Sequence, residues 1–286
     1  QIHSLPVVRD DLQHHASGCY SAHWEIKANN RKAEHLLISA EKISAMACCL
    51  TGYPYPGQDM EAAWEKVLFN QFHDIMGGCS IKEAYEDARN SHGWAIHTAE
   101  WVLNGAMQKI SWNIDTMKEG IRYLSKEKHG RVWEQEDEGS PFVVFNPLSW
   151  EVKTQVQANG LFKMITDEAG NPVLSQIVRG PQTDGTNKQN TLFEASIPAM
   201  GYRVYWAYLD KEFHGHTDEN FFKTSNKSIE NEYIKLEIEE YTGYIKSLYD
   251  KKNKTEAIKG AAAVPIVIDI RHCDTWAHGI FRFDEE

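Results

Sequence analysis

A histidine followed by an aspartate, set where a helical pattern meets a glycine pair, is the foremost candidate for chemistry in this chain of 286 residues. The stretch reads Asn70-Gln71-Phe72-His73-Asp74-Ile75-Met76-Gly77-Gly78-Cys79-Ser80. Neutral imidazole is the commonest nitrogen ligand for zinc, and a neighbouring carboxylate can bind a substrate hydroxyl. An imidazole near a helix end is also a common structural or cap residue. Two features favour a role beyond structure for His73 and Asp74. They sit at a bend, from which side chains can project, and the polar-apolar mixture around them is unlike a plain core stripe. A second candidate is His14-His15 in a polar, irregular opening segment. Neighbouring side chains point to different sides of a helix or strand, so a shared ion is disfavoured. Packing within a loop and lining of a sugar or ligand pocket both remain open for this pair.

The elements that must position these residues are helical at first. Ala33, Leu36, Leu37, Ala40, Ile43 and Ala47 recur at three- and four-residue steps, predicting a helix over 21–50. Thr51-Gly52-Tyr53-Pro54-Tyr55-Pro56-Gly57 breaks it. Met60, Ala63, Trp64, Val67 and Leu68 predict a second helix from about Asp59 to Met76, with His73-Asp74 in its last turn. Gly77 and Gly78 would end it in the left-handed region open to glycine. Ser80 and Glu83 have the spacing of a capping box for a third helix, which continues past Gly93 to about Met117. Short connections predict an antiparallel three-helix bundle. At helical spacing, Trp24, Trp64, Trp94 and Trp101 read as core.

Residues 126–140, with Lys126-Glu127-Lys128-His129-Gly130 and Glu134-Gln135-Glu136-Asp137-Glu138-Gly139, read as a solvated linker. From Pro141 the period changes to two. Strands are predicted at Phe142–Phe145, Val152–Gln157, Tyr202–Leu209, Asn231–Glu239 (with one wet face), Tyr244–Asp250 and Val264–Ile270. No helix pattern separates them, so an antiparallel sandwich or barrel follows. The expected class is α+β and multi-domain: a helical bundle over 1–125, a linker over 126–140, and the first part of a β-sandwich over 141–286.

Composition narrows the partners. A net charge of −11 argues against a nucleic-acid backbone binder and leaves neutral or small polar ligands. No run of about 18 apolar residues is present for a membrane span. Five cysteines without a C-x-x-C pair read as reduced thiols, and with no secretory pattern visible the expected location is cytoplasmic. The chain begins at Gln1 rather than Met, so an internal piece of a longer protein is expected. The sequons at Asn226-Lys227-Ser228 and Asn253-Lys254-Thr255 read as chance occurrences under that location.

Four stretches, in order, resemble glycoside hydrolase family 38, the retaining α-mannosidases, in its bacterial and cytosolic branch. They are Leu12-Gln13-His14-His15-Ala16-Ser17-Gly18-Cys19-Tyr20-Ser21, the stretch around His73-Asp74, Val144-Phe145-Asn146-Pro147-Leu148-Ser149-Trp150, and Asp274-Thr275-Trp276-Ala277-His278-Gly279. The turn departs from the family pattern at Met76-Gly77, where Leu-Pro is usual, and at Cys79, where Ser or Thr is usual. The resemblance implies that His73 is one zinc ligand of four and that Asp74 contacts sugar hydroxyls. It implies that His14 and His15 lie near the substrate. It places the nucleophile and the remaining ligands in an N-terminal barrel that precedes the stretch seen here. The triplets His216-Thr217-Asp218 and His272-Cys273-Asp274 lie on the wrong side of His73 to be that barrel's His-x-Asp motif, and read as coincidental. The implied function is hydrolysis of terminal α-mannosidic bonds in mannosides or oligosaccharides by the parent protein, with this piece inactive by itself. Two alternatives stand: a carbohydrate-binding or scaffold module without chemistry, and a parent acting on a small mannosylated acid such as mannosylglycerate. An oligomer is left open.

Overall fold

The computed structural model describes residues 5–9, 15–116, 139–180, 188–209, 211, 222–267 and 274–279. The chain falls into two compact units: Gly18–Phe213, and Gln1–Ser17 together with His214–Glu286. Helices are followed by antiparallel sheets, the α+β composition expected. His14, residues 126–138 of the linker expected over 126–140, and the triplet at 216–218 lie outside the described residues, and Ser140 already belongs to a strand.

The first unit opens with α1 (Trp24–Thr51), α2 (Gly57–Asn70), the single turn α3 (His73–Met76) and α4 (Lys82–Ser111). Ala33, Leu37 and Ala40 of α1, Met60, Ala63 and Val67 of α2, and Ala95, Ala99 and Val102 of α4 form one buried core. Alanines at these seams let helix backbones approach closely, which explains a difference from the sequence reading. Trp24, Trp94 and Trp101 are not core: they are 70%, 41% and 60% exposed. Indole rings do not fit a seam of methyl groups, and these three stand outside it. Trp64 packs against the edge of the core and donates its ring N–H to Glu41 Oε1 at 2.9 Å.

Two further expectations are corrected. The second helix stops at Asn70, not Met76. Asn70 is buried, and its side-chain amide donates to the Lys66 carbonyl one turn back at 2.7 Å. Phe72 is then extended, with φ −53° and ψ 134°, and His73 opens a new turn instead of closing an old one. The capping box does not form either. Helix α4 starts at Lys82 without a side-chain cap, and the Ser80 N–H donates to Tyr85 Oη at 3.0 Å.

The same unit continues with β1 (Ser140–Asn146), β2 (Val152–Ala158), β3 (Met164–Thr166), β4 (Ser175–Arg179), β5 (Gln189–Ile197) and β6 (Gly201–Tyr208). Two three-stranded antiparallel sheets result, ordered β1-β6-β3 and β2-β5-β4. Alternate residues of both sheets, including Ala158, Phe193 and Ile197 from one and Ile165, Tyr205 and Ala207 from the other, form a common core. Phe145 of β1 packs onto a cluster of Ile43, Ala47, Ala106 and Ile110 at the far end of α1 and α4.

The other unit holds β7 (Lys223–Ser225), β8 (Ser228–Glu230), β9 (Ile234–Ile238), β10 (Ile245–Asp250) and β11 (Thr255–Glu256), an antiparallel meander ordered β11-β10-β9-β8-β7. None of these strand residues is fully buried, so β9 lacks the single dry face that its alternation predicts. Lys251 bridges to Glu230 at 2.6 Å and Lys246 to Glu237 at 3.5 Å across the sheet. The strand expected from Val264 does not form over 264–267, where Pro265 removes a donor from any ladder.

Candidate functional site

The His73-Asp74 turn is held from three sides while its two chemical groups face outward. From α1, Asn30 Oδ1 and Glu34 Oε1 accept from Gln71 Nε2 at 3.3 and 2.9 Å. Underneath, Ile75 is buried with Ile26, Tyr85 and Ala88. From α4, the Tyr85 hydroxyl donates to the Asp74 carbonyl at 3.2 Å and accepts the Ser80 N–H. His23 stacks on the Tyr85 ring with centroids 3.9 Å apart.

The turn closes on itself and onto the start of α1. Lys27 Nζ donates to the carbonyls of Ala22 and Met76, each at 2.6 Å. Partial burial lowers its pKa. Gly77 is in the right-handed region at φ −75°. Gly78 alone takes the left-handed conformation, at φ +83°. A β-carbon there would stand 2.7 Å from Ala22 Cβ, so space and backbone both require glycine.

On this frame the His73 side chain is 81% exposed and Asp74 44% exposed. His73 Nε2 lies 3.5 Å from Asp74 Oδ1. Phe72 packs its ring against His73, with centroids 4.3 Å apart. Cys79 Sγ lies 3.4 Å from the same Asp74 oxygen. Desolvation, the hydrogen bond to Asp74 and its charge raise the thiol's pKa, so Cys79 is a donor here rather than a thiolate. The arrangement offers an imidazole and a carboxylate to something arriving from solvent.

His73 and Asp74, neighbours in the sequence, stand on one short turn of their own. His15 belongs to the other unit, where its ring lies 4.9 Å from that of His278. Of the triplet at 272–274 only Asp274 is described, and its imidazole partner is His278. The sequence reading missed Lys27 and Tyr85, which hold the turn, and the pairing of Asp274 with His278. A groove of about 450 Å³ between α1 and the sheets is lined by Ile38, Val152 and the Val144–Leu148 stretch singled out from the sequence, but not by His15, His73 or Asp74. Among the described residues no group of three His, Cys, Asp or Glu could hold a metal ion, around His73 or elsewhere.

Residues 14–110 match the family model of the alpha mannosidase middle domain. The region includes the three long helices and the His73 turn. Human alpha-mannosidase 2C1 is 38% identical over 91 residues, 29% of this chain and 9% of that protein. Feline lysosomal alpha-mannosidase is 26% identical over 196 residues, 66% of this chain and 18% of that protein. The crystal structure of an alpha-mannosidase from Enterococcus faecalis V583 shares the fold at TM-score 0.59 and 21% identity, over 84% of this chain and 29% of that one. A second Enterococcus faecalis structure, described as a protein in glycosyl hydrolase family 38, does so at TM-score 0.57 over 89% of this chain and 32% of that one. Residues 14–110 are thus similar to the middle domain of alpha mannosidases, and the likeness of fold extends over most of the chain. The chain spans 18% of the feline relative and 9% of the human one.

Proposed function

We propose that the protein to which this chain belongs hydrolyses terminal α-mannosidic bonds, and that the His73-Asp74 turn forms one wall of its sugar and metal site. The observation that carries this reading is the contrast between a turn fixed by Gln71, Ile75, Tyr85 and Lys27 and the exposure of the two side chains it presents. A surface turn with no task has no need of so many anchors. Asp74 is oriented to accept from sugar hydroxyls, and Cys79 holds the carboxylate in place.

The metal in this reading is zinc. His73 fits as one donor to a site completed by a preceding barrel segment. Bound there, zinc would polarise and orient the sugar's hydroxyls. The carboxylate nucleophile of a retaining mechanism and its partner acid also belong to that segment. The chain alone is therefore inactive. In the same reading, the three long helices form a bundle over 1–125 and the two sheets with a shared core begin a β-sandwich over 141–286. A cytoplasmic location is supported by the unpaired thiols of Cys19, Cys48, Cys49 and Cys79. A carbohydrate-binding module without chemistry is the second reading, and the exposed Trp24, Trp94 and Trp101 favour it.

The test is hydrolysis of an aryl α-mannoside by the full-length parent, with metal content measured in parallel. His73→Ala should lower kcat/KM by about 100-fold or more, the upper end for partners one step removed from a metal, and reduce bound zinc. Asp74→Asn should raise KM with zinc retained. Unchanged activity and zinc in His73→Ala would overturn the reading. Comparing mannosylglycerate with oligomannosides then sets the substrate class.

A further inference from the structure

Two stretches far apart in sequence meet in the unit that contains the β7–β11 meander. Asp274 Oδ1 accepts the backbone N–H groups of Trp276 and His278 at 3.0 and 3.2 Å. Ala277 is held at φ +59°, a conformation uncommon for a residue with a β-carbon, and its N–H donates to the Asp274 carbonyl at 3.0 Å. This tight turn folds the His278 ring back onto its own aspartate, where Nδ1 pairs with Asp274 Oδ2. The other ring nitrogen, Nε2, is buried and has no hydrogen-bond partner among the described residues. Beside this ring lie that of His15, at 4.9 Å, and that of Trp276, at 5.9 Å.

A buried polar atom without a partner is costly, and a residue held in the left-handed region adds strain. Here both occur in one six-residue stretch. The carboxylate has a clear effect. It accepts three hydrogen bonds, led by that from the His278 ring, and these hold its pKa below the usual value. The carboxylate accepts at His278 Nδ1, so in the neutral form of the imidazole Nε2 is left as a hydrogen-bond acceptor. A neighbouring indole supplies an apolar ring edge or face. An acceptor nitrogen beside an indole matches a ligand with a hydroxyl on a ring that carries C–H groups. A cation fits less well. Both Asp274 oxygens are already engaged, which leaves two imidazoles where a closed metal site uses three or four protein ligands.

We infer that Asp274, Trp276 and His278, together with His15, form a second carbohydrate contact in this chain, in which His278 Nε2 accepts a hydroxyl of a pyranoside ring and Asp274 positions the imidazole. The inference rests on the mannosidase reading only for its first probe, methyl α-D-mannopyranoside. Neither Asp274 nor His278 is needed for the His73 site as proposed above.

Imidazole nitrogens of the 286-residue chain are followed by long-range proton–nitrogen NMR during titration with methyl α-D-mannopyranoside, methyl β-D-galactopyranoside and, separately, zinc chloride. The expected result is a saturable shift of the His278 Nε2 resonance with the mannoside, retained in His73→Ala and lost in Trp276→Ala. In Asp274→Asn the His278 ring should lose its fixed tautomer, seen directly as convergence of its two nitrogen shifts, with at least a fivefold weaker response to sugar. This variant keeps the size of the side chain and reports even if His278→Ala fails to fold. A response to the galactoside alone would retain the contact and count against the mannosidase reading. No shift with either glycoside at 100-fold excess, or a shift with zinc only, overturns the inference and leaves the His73 site untouched.

Discussion

The hydroxyl of Tyr85 donates to the main-chain carbonyl of Asp74 at 3.2 Å, so the residue presenting the carboxylate is tied to the first turns of α4. The same oxygen accepts the Ser80 N–H at 3.0 Å. One buried phenol therefore holds both ends of the turn that carries His73.

Replacing that phenol should loosen the turn without emptying the core. Tyr85→Phe keeps the ring stacked on His23 and removes two hydrogen bonds, each with a net value of about 1 kcal/mol. Native-state hydrogen exchange should show faster exchange at Ser80 and at the Cys79 amide, which donates to Asp74 O. Amides in the middle of α1 should be little changed.

Lys27→Met removes the ammonium that joins the Ala22 and Met76 carbonyls. Two acceptors then lose their partner, at a cost of about 1–3 kcal/mol in urea unfolding. Lys27→Arg should recover part of this, because a guanidinium can reach two carbonyls with different geometry.

His92 provides a pH test. It is fully buried on α4, and neither ring nitrogen makes a well-formed hydrogen bond. Desolvation lowers its pKa, while the Ala88 carbonyl one turn back pulls the other way. The unfolded chain then binds the proton more readily than the folded one. Stability should be fully present above the usual imidazole pKa of about 6.5 and fall as the pH drops through that value toward the folded one. His92→Leu should flatten the dependence of the urea midpoint between pH 8 and pH 5.5. An unchanged slope in the variant would remove His92 as its source.

The thiol of Cys79 reports on Asp74. The carboxylate accepts from the thiol and disfavours the thiolate. In Asp74→Asn, Cys79 should react several-fold faster with an aromatic disulfide at pH 8, whereas Cys48 and Cys49, exposed on α1, should react at unchanged rates.

Much of this architecture is legible in the chain. The helical seams follow from alanines and leucines at three- and four-residue steps, and β1, β2, β6 and β10 from short apolar or alternating runs. What escapes has a common cause: contacts made at a distance override local patterns. The end of α2 is set by a buried Asn70, not by the glycines downstream. Strand β5 starts with three polar residues, Gln189-Asn190-Thr191, and has no counterpart among the strands expected from the sequence. Asn190 and Thr191 are nevertheless buried, because Asn159 Oδ1 and the Gly160 carbonyl accept their side-chain hydrogen bonds. Of the site, His73 and Asp74 are visible as residue types at a bend. Tyr85 and Lys27 look like an ordinary core ring and a solvated charge until the fold brings them to the turn. His278 is hidden because its aspartate lies four residues away without a helix between them, where a His-x-Asp pattern draws attention to position 272 instead.

The contact between Gly78 and Ala22 sets a rule for variation. A β-carbon at 78 would meet Ala22 Cβ at 2.7 Å and its carbonyl oxygen at 2.8 Å. Neither position can gain atoms unless the other gives way, and position 78 has none to lose. Across relatives that keep this turn, the two sites should drift together as one small-residue pair, so covariation between the start of the first helix and the glycine after the His-Asp turn would trace the constraint without any structure at all.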